Sequence, residues 1–125
     1  MHPLGQVAAL AAALAHVSFF LLESVWFMRP RTYGRFGLSS TQQAALVRPF
    51  AFNQGFYNLF LALGAAGGVI AIGLGYEVAG RTLVLFACGS MALAGAVLVS
   101  TDRRFLRPAL VQAVPPLVVF ATLVL

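Results

Sequence analysis

Four long apolar runs constrain this chain more than any other feature. They cover about residues 4–28, 49–74, 82–100 and 108–125. Each run is near or above the roughly 18–20 residues that a helix needs to cross a hydrocarbon core of about 30 Å, where a helix also satisfies its own backbone hydrogen bonds. We therefore expect an all-α fold: a four-helix transmembrane bundle, formed as a single integral membrane domain by residues 1–125 and placed as a multi-pass protein in the cell membrane.

Composition supports a membrane protein and argues against other classes. Of the 125 residues, 61% are hydrophobic and 9% are charged, against about 45–50% and about 25% in soluble domains. The eight basic residues are all arginines, and they lie in connectors between apolar runs, so we expect the lipid bilayer and no nucleic acid as the partner. A lone cysteine, Cys88, leaves no internal disulfide and no multi-cysteine metal site, and the sequence indicates no metal and no cofactor.

The distribution of arginines predicts the topology. Two connectors, those after the first and third runs, hold seven of the eight arginines: Arg29, Arg31, Arg35, Arg48, Arg103, Arg104 and Arg107. The N-terminus, the loop at 73–81 and the C-terminus lie on the opposite side. Because positive loops stay in the cytoplasm, we expect both termini to be extracytoplasmic, in a bacterial inner membrane. A cleaved signal peptide fits the first run poorly, since no Lys or Arg precedes it.

The first connector carries a helix start signal. Ser40-x-x-Gln43 fits a capping box, in which the serine hydroxyl accepts from a backbone N–H while the glutamine side chain reaches back. We therefore expect a helix to begin near Thr41, with Pro49 as a kink or a restart.

Two ionisable residues lie inside the first run. His16 and Glu23 are seven residues apart, so on an α-helix they lie within about 20° of each other. Small residues on the same face, Ala9, Ala12 and Ala13, indicate that this face turns towards other helices. An ionisable group inside a membrane is a functional candidate. The alternatives are a structural hydrogen bond for His16 and an ion pair with Arg29 or Arg31 for Glu23.

Further polar residues extend the candidate site. Asn53, Gln54, Tyr57 and Asn58 fill an arc of about 140° on the second helix, and Gln112 lies in the fourth. Counted from the nearest arginine, Glu23, Asn53, Gln54 and Gln112 lie about 7–9 Å below the cytoplasmic surface, and His16 and Asn58 about 15–20 Å. We predict one polar cavity that opens to the cytoplasm, with His16 at its floor and three arginines at its mouth: Arg29, Arg48 and Arg107.

Three short strings resemble a known family. They are His16 with Leu22-Glu23-x-x-Trp26, then Asn53-Gln54-Gly55-Phe56-Tyr57-Asn58, then Gln112-x-x-Pro115. Together they resemble the family called domain of unknown function 1304, over essentially the whole chain. The resemblance implies a small bacterial four-span membrane protein and assigns no activity.

Three hypotheses of function remain. The first is a small proton-coupled carrier that works as a homo-oligomer, with a dimer favoured; the position of Glu23 is similar to that of the lone glutamate in the small multidrug resistance family. The second is a membrane-embedded enzyme or lipophile-binding protein, in which Arg48, Asn53 and Gln54 bind a small anionic or amphipathic ligand with a polar head group and Tyr57 donates a hydrogen bond. The third is a purely structural membrane protein. No nucleophile–base pair supports catalysis, so an enzyme is not favoured.

Overall fold

The computed structural model describes all residues from 1 to 125 and is built from helices. The five α-helices are α1 (Pro3–Phe20), α2 (Pro30–Arg35), α3 (Thr41–Gly73), α4 (Glu77–Thr101) and α5 (Leu106–Ala121). A π-helical turn, Leu21–Val25, continues α1, and 3₁₀ turns, Arg103–Phe105 and Thr122–Val124, flank α5. The predicted all-α class is confirmed.

Four helical segments are long and apolar enough to cross a membrane. By length and composition these are Pro3–Val25, Thr41–Gly73, Glu77–Thr101 and Arg103–Val124. The first ends at Val25, before the Met28 expected from hydropathy, because the chain turns at Trp26. The side of the membrane on which the termini lie stays a prediction.

The predicted start of α3 at Thr41 is confirmed. The backbone N–H of Gln43 donates to Ser40 Oγ at 3.2 Å, and Gln43 Oε1 accepts from the N–H of Ser39 at 2.9 Å. The second bond therefore reaches one residue further back than in the standard capping box. The helix continues through Pro49, so it does not restart there, and the alternative of a kink stays a prediction. With 33 residues it is about 50 Å long, which exceeds a hydrocarbon core of about 30 Å.

The chain divides into two compact units, and the division falls within α1 and α3. The first unit comprises Met1–Ala15 and Leu61–Leu125. Its helices approach closely at glycines: a Cβ atom on Gly68 would lie 2.7 Å from the Gly80 carbonyl oxygen, and one on Gly95 would lie 3.1 Å from the Ala109 carbonyl oxygen. Such close packing of small residues is typical of membrane helices. Gly75, with φ +92°, makes the turn between α3 and α4.

The second unit, His16–Phe60, has its own small core. Phe27, Tyr33, Ala44 and Ala51 are buried together, and Met28 and Leu38 pack against them. Pro30 stands at the start of α2, where its missing N–H costs no helical hydrogen bond. The hydroxyls of Tyr33 and Thr41 lie 3.4 Å apart, so α2 is tied to the first turn of α3.

Candidate functional site

The site begins at a distortion of the first membrane helix. The N–H of Trp26 donates to the Leu21 carbonyl at 2.8 Å, five residues earlier, and this bond closes the π-helical turn that holds Glu23. A π-helical turn accommodates one extra residue and changes the register of the side chains that follow. The angle between His16 and Glu23 therefore departs from the 20° of an undistorted helix. Turns of this kind are frequent at functional sites.

Glu23 is bound by an amide of the neighbouring helix. The side-chain amide of Asn58, on α3, donates to Glu23 Oε1 at 2.8 Å. Counted along the backbone from the arginines, the two residues differ in depth by about 6 Å. Side chains lean towards the N-terminus of their own helix, and α1 and α3 run in opposite directions here, so the two side chains lean towards each other. The hydrogen bond therefore spans the difference in backbone depth between Glu23 and Asn58.

A close approach of the backbones surrounds this pair. Ser24 Oγ donates to the Phe52 carbonyl at 2.8 Å. A Cβ atom on Gly55 would overlap the Ser24 hydroxyl and would lie 3.1 Å from the Ser24 backbone nitrogen. Gly55 therefore allows α3 to lie directly against the π-helical turn. Sequence reasoning missed Ser24, although its position next to the intramembrane carboxylate was a usable signal.

The structure divides the polar stripe of α3. Asn58 and Gly55 are buried against the π-helical turn, whereas Asn53, Gln54 and Tyr57 are exposed. Phe56, between them in sequence, packs edge-to-face on Phe20 with ring centroids 5.1 Å apart. A single cavity that collects all the predicted polar residues stays a prediction.

The partner of Glu23 differs from those of the other two acids. Glu77 is paired with the N-terminal amine of Met1 at 2.7 Å, and Asp102 is paired with Arg104 at 2.7 Å. Hydrogen bonds from the Arg104 side chain and backbone lower the pKa of the Asp102 carboxyl. Glu23 is held by a neutral amide instead.

The alternative of an ion pair between Glu23 and Arg29 or Arg31 is not formed. The guanidinium of Arg29 lies over the Trp26 ring, 5.2 Å from its centroid, and Arg31 is exposed. A cation over the face of an indole ring is itself a favourable contact. The pairing alternative for Glu23 is therefore wrong, and its carboxylate lacks a compensating positive charge.

The remaining predicted residues lie as follows. His16 is fully buried, with its ring edge-to-face on Phe19 at 5.4 Å between centroids. Ala9, Ala12 and Ala13 are also buried, which confirms that this face of α1 turns inward. In the first unit, the Gln112 amide donates to the Met91 carbonyl at 3.3 Å. Arg48 and Arg107 are exposed.

Comparison with known proteins finds one match. A family model described as "Protein of unknown function (DUF1304)" matches residues 10–124, nearly the whole chain. No curated protein and no solved structure matches the chain.

Proposed function

Because the chain belongs to the DUF1304 family of unknown function, we propose an activity from the site itself: a small membrane carrier in which Glu23 exchanges a proton for a cationic substrate. The observation that carries this proposal is the hydrogen bond from the neutral Asn58 amide to Glu23, in a membrane helix and without a basic partner.

The chemistry follows from the cost of a carboxylate in a membrane. An ionised carboxylate inside a span is unfavourable unless it is paired, and either a proton or a bound cation removes that cost. The proton and the cation compete for one carboxyl group. Binding of the cation therefore releases the proton, and binding of the proton releases the cation. Coupling of a cation to a proton gradient needs this competition.

Asn58 suits a carboxyl that changes its charge. Its N–H donates to Oε1, which accepts a hydrogen bond in both the ionised and the protonated carboxyl. The amide therefore positions Glu23 in either state, and Oε2 is left for the proton or the cation. An arginine at the position of Asn58 would instead fix the ionised state.

The geometry supports the alternative of a membrane-embedded enzyme less than it supports a carrier. Cys88, the only thiol of the chain, is fully buried in α4, and no group of three His, Cys, Asp or Glu side chains lies together. The polar residues that this hypothesis assigned to a head group, Asn53, Gln54 and Tyr57, are on the exposed side of α3.

Carbodiimide labelling tests whether Glu23 takes up a proton in the folded protein. Dicyclohexylcarbodiimide is apolar and reacts with protonated carboxyl groups in membranes. We expect it to modify Glu23, to leave Glu77 and Asp102 unmodified, and to react less as pH rises. Peptide mass spectrometry locates the adduct, and Glu23→Gln is the matched control. A Glu23 that stays unlabelled at every pH in the folded protein would contradict the proposal.

Transport is then measured in proteoliposomes. An imposed pH gradient should drive accumulation of cations from a panel that includes tetraphenylphosphonium, and a pH-sensitive dye inside should report the countermovement of protons. Glu23→Gln should abolish both signals, whereas Glu77→Gln, which changes an exposed acid, should keep them. Equal cation and proton signals from the unchanged protein and from Glu23→Gln would show that Glu23 takes no part in transport.

A further inference from the structure

One face of α3 is exposed along a regular stripe. Its members are spaced four, three, four and three residues apart, and we call them the α3 seam: Leu46, Phe50, Asn53, Tyr57 and Phe60. Leu46, Phe50, Tyr57 and Phe60 are 79%, 76%, 59% and 61% exposed, and Asn53 is exposed as well. This spacing averages 3.5 residues, which is the repeat of helices that pack along a left-handed seam.

Three residues of the seam have a polarity opposite to that of the membrane region in which they lie. Arg48 is the one charged residue of α3 and marks the polar boundary of the span. Leu46 lies on the polar side of that boundary, yet it is apolar and exposed. Asn53 and Tyr57 lie about 7–14 Å inside it, yet they are polar and exposed. Lipid alone therefore satisfies neither the exposed Leu46 outside the boundary nor the polar groups of Asn53 and Tyr57 inside it.

The polar groups of the seam lack partners within the chain. Neither the amide of Asn53 nor the hydroxyl of Tyr57 forms a hydrogen bond within the chain, and the adjacent amide of Gln54 forms none either. The Asn58 amide, one turn away on the buried side, is by contrast bonded to Glu23. Hydrogen bonds between helices stabilise such side chains in a membrane.

We propose that the α3 seam is the interface of a homodimer and that its occupant is the seam of a second copy. A partner has to present apolar groups outside the boundary and amides inside it, at matching depths. An identical chain related by a two-fold axis along the membrane normal meets this condition by symmetry. The Asn53 amide both donates and accepts, so two copies complete each other, and one polar residue in an apolar seam also fixes the register.

The charges of α3 are compatible with this pairing. Arg48 lies about 140° around the helix from Asn53, at 100° per residue, so two parallel copies of α3 keep their guanidinium groups away from the seam. The glycines of the α3–α4 contact, Gly68 and Gly80, are already used within the chain. Pairing of two α3 seams does not require proton exchange at Glu23.

Cysteine crosslinking in native membranes tests the proposal. In a Cys88→Ser background, single cysteines replace each seam residue, and Phe52 and Leu63 serve as controls because they are 49% and 60% exposed but lie off the seam. Copper-catalysed oxidation should give dimers at seam positions and at least about fivefold less at the two controls. A permeant maleimide confirms that each thiol is reachable.

The outcomes separate the occupants of the seam. Reachable seam thiols that do not crosslink, or equal crosslinking at Phe52 and Leu63, would overturn the proposal. Native mass spectrometry gives a second readout: Asn53→Leu should weaken the dimer about tenfold, as loss of an interhelical hydrogen bond predicts, while Phe52→Leu should leave it unchanged. A monomer that carries a bound phospholipid, with no dimer, would assign the seam to lipid and overturn the pairing.

Discussion

At the scale of single residues, the proposed function rests on the hydrogen-bonded pair of Glu23 and Asn58. Both side chains lie in membrane helices, and their contact stands where an intramembrane carboxylate would usually have an ion pair. A hydrogen bond to a charged group contributes about 1.5–3 kcal/mol, and a neutral one about 0.5–1.5 kcal/mol. The stability of the protein should therefore report on this bond.

Asn58→Leu should lower the free energy of unfolding by about 1–3 kcal/mol, because Glu23 loses its donor inside the membrane. In a Glu23→Gln background the same change should cost less, since a neutral glutamine is easier to leave unbonded. Thermal melts in detergent measure the double-mutant cycle, with Gln54→Leu as the control on an exposed amide. Additive effects of the two substitutions would show that Asn58 stabilises the carboxylate of Glu23 no more than it would stabilise a neutral glutamine, which accepts the same hydrogen bond.

Gly55→Ala should destabilise the protein by about 1–3 kcal/mol, because its Cβ atom would overlap the Ser24 hydroxyl and press on the Ser24 backbone. Ser24→Gly should recover part of this loss in the double variant. The matched control is Gly34→Ala, whose new Cβ atom would meet nothing within 4 Å and which should leave the melting temperature the same or slightly higher. Equal effects of the two alanines would argue against the close contact of α3 with the π-helical turn.

At the scale of elements, α3 and α4 pack closely because glycines lie where the two helices meet. Gly68 and Gly80 face each other, and their backbones approach to a distance that no Cβ atom fits. Dispersion contacts between such backbones replace the hydrophobic effect, which is lost between helices in lipid. The turn through Gly75, where φ is +92°, keeps the two helices antiparallel and adjacent.

Gly68→Ala should separate α3 from α4 and lower stability by about 1–3 kcal/mol, because the new Cβ atom would lie 2.7 Å from the Gly80 carbonyl oxygen and 2.9 Å from the Val84 nitrogen. The neighbouring change Gly67→Ala supplies the control, since nothing lies within 4 Å of its Cβ position. Thermal melts of both variants give the comparison. A loss at Gly67 as large as that at Gly68 would point to backbone flexibility instead of packing.

At the scale of the whole molecule, the two chain ends lie at the same end of the first unit. The amine of Met1 contacts Glu77, and a shallow cleft there is lined by Met1, His2, Arg81, Thr122, Leu123 and Leu125. Four spans place both termini on one side of a membrane, in agreement with this geometry. Which side that is depends on the seven arginines of the other two connectors.

Fusions at the C-terminus should therefore report an extracytoplasmic location. Alkaline phosphatase fused after Leu125 should be active in a bacterial host, and a green fluorescent protein fused there should be dark. Fusions in the connector after Arg104 should give the opposite pair of signals and serve as the internal control. An inactive phosphatase together with a fluorescent fusion at Leu125 would reverse the predicted orientation.

The sequence alone was sufficient for the helical architecture. Backbone groups in lipid are satisfied within one segment, so run length and composition are enough to define four spans. The start of α3 at Thr41 was equally accessible, because a capping box acts over four residues. The inward face of α1 followed from Ala9, Ala12 and Ala13, since small residues permit close approach. All of these features depend on neighbours in the chain.

Only the tertiary structure decided what the polar residues touch. Periodicity gives the angles between Asn53, Gln54, Tyr57 and Asn58, but the rotation of α3 about its own axis depends on what packs against it. The close approach at Gly55 selects the face that carries Asn58 and leaves the other three exposed. The partner of Glu23 depends in addition on a π-helical turn and on side chains that lean towards each other from antiparallel helices. Those relations join residues 35 positions apart, and no local pattern in the chain encodes them.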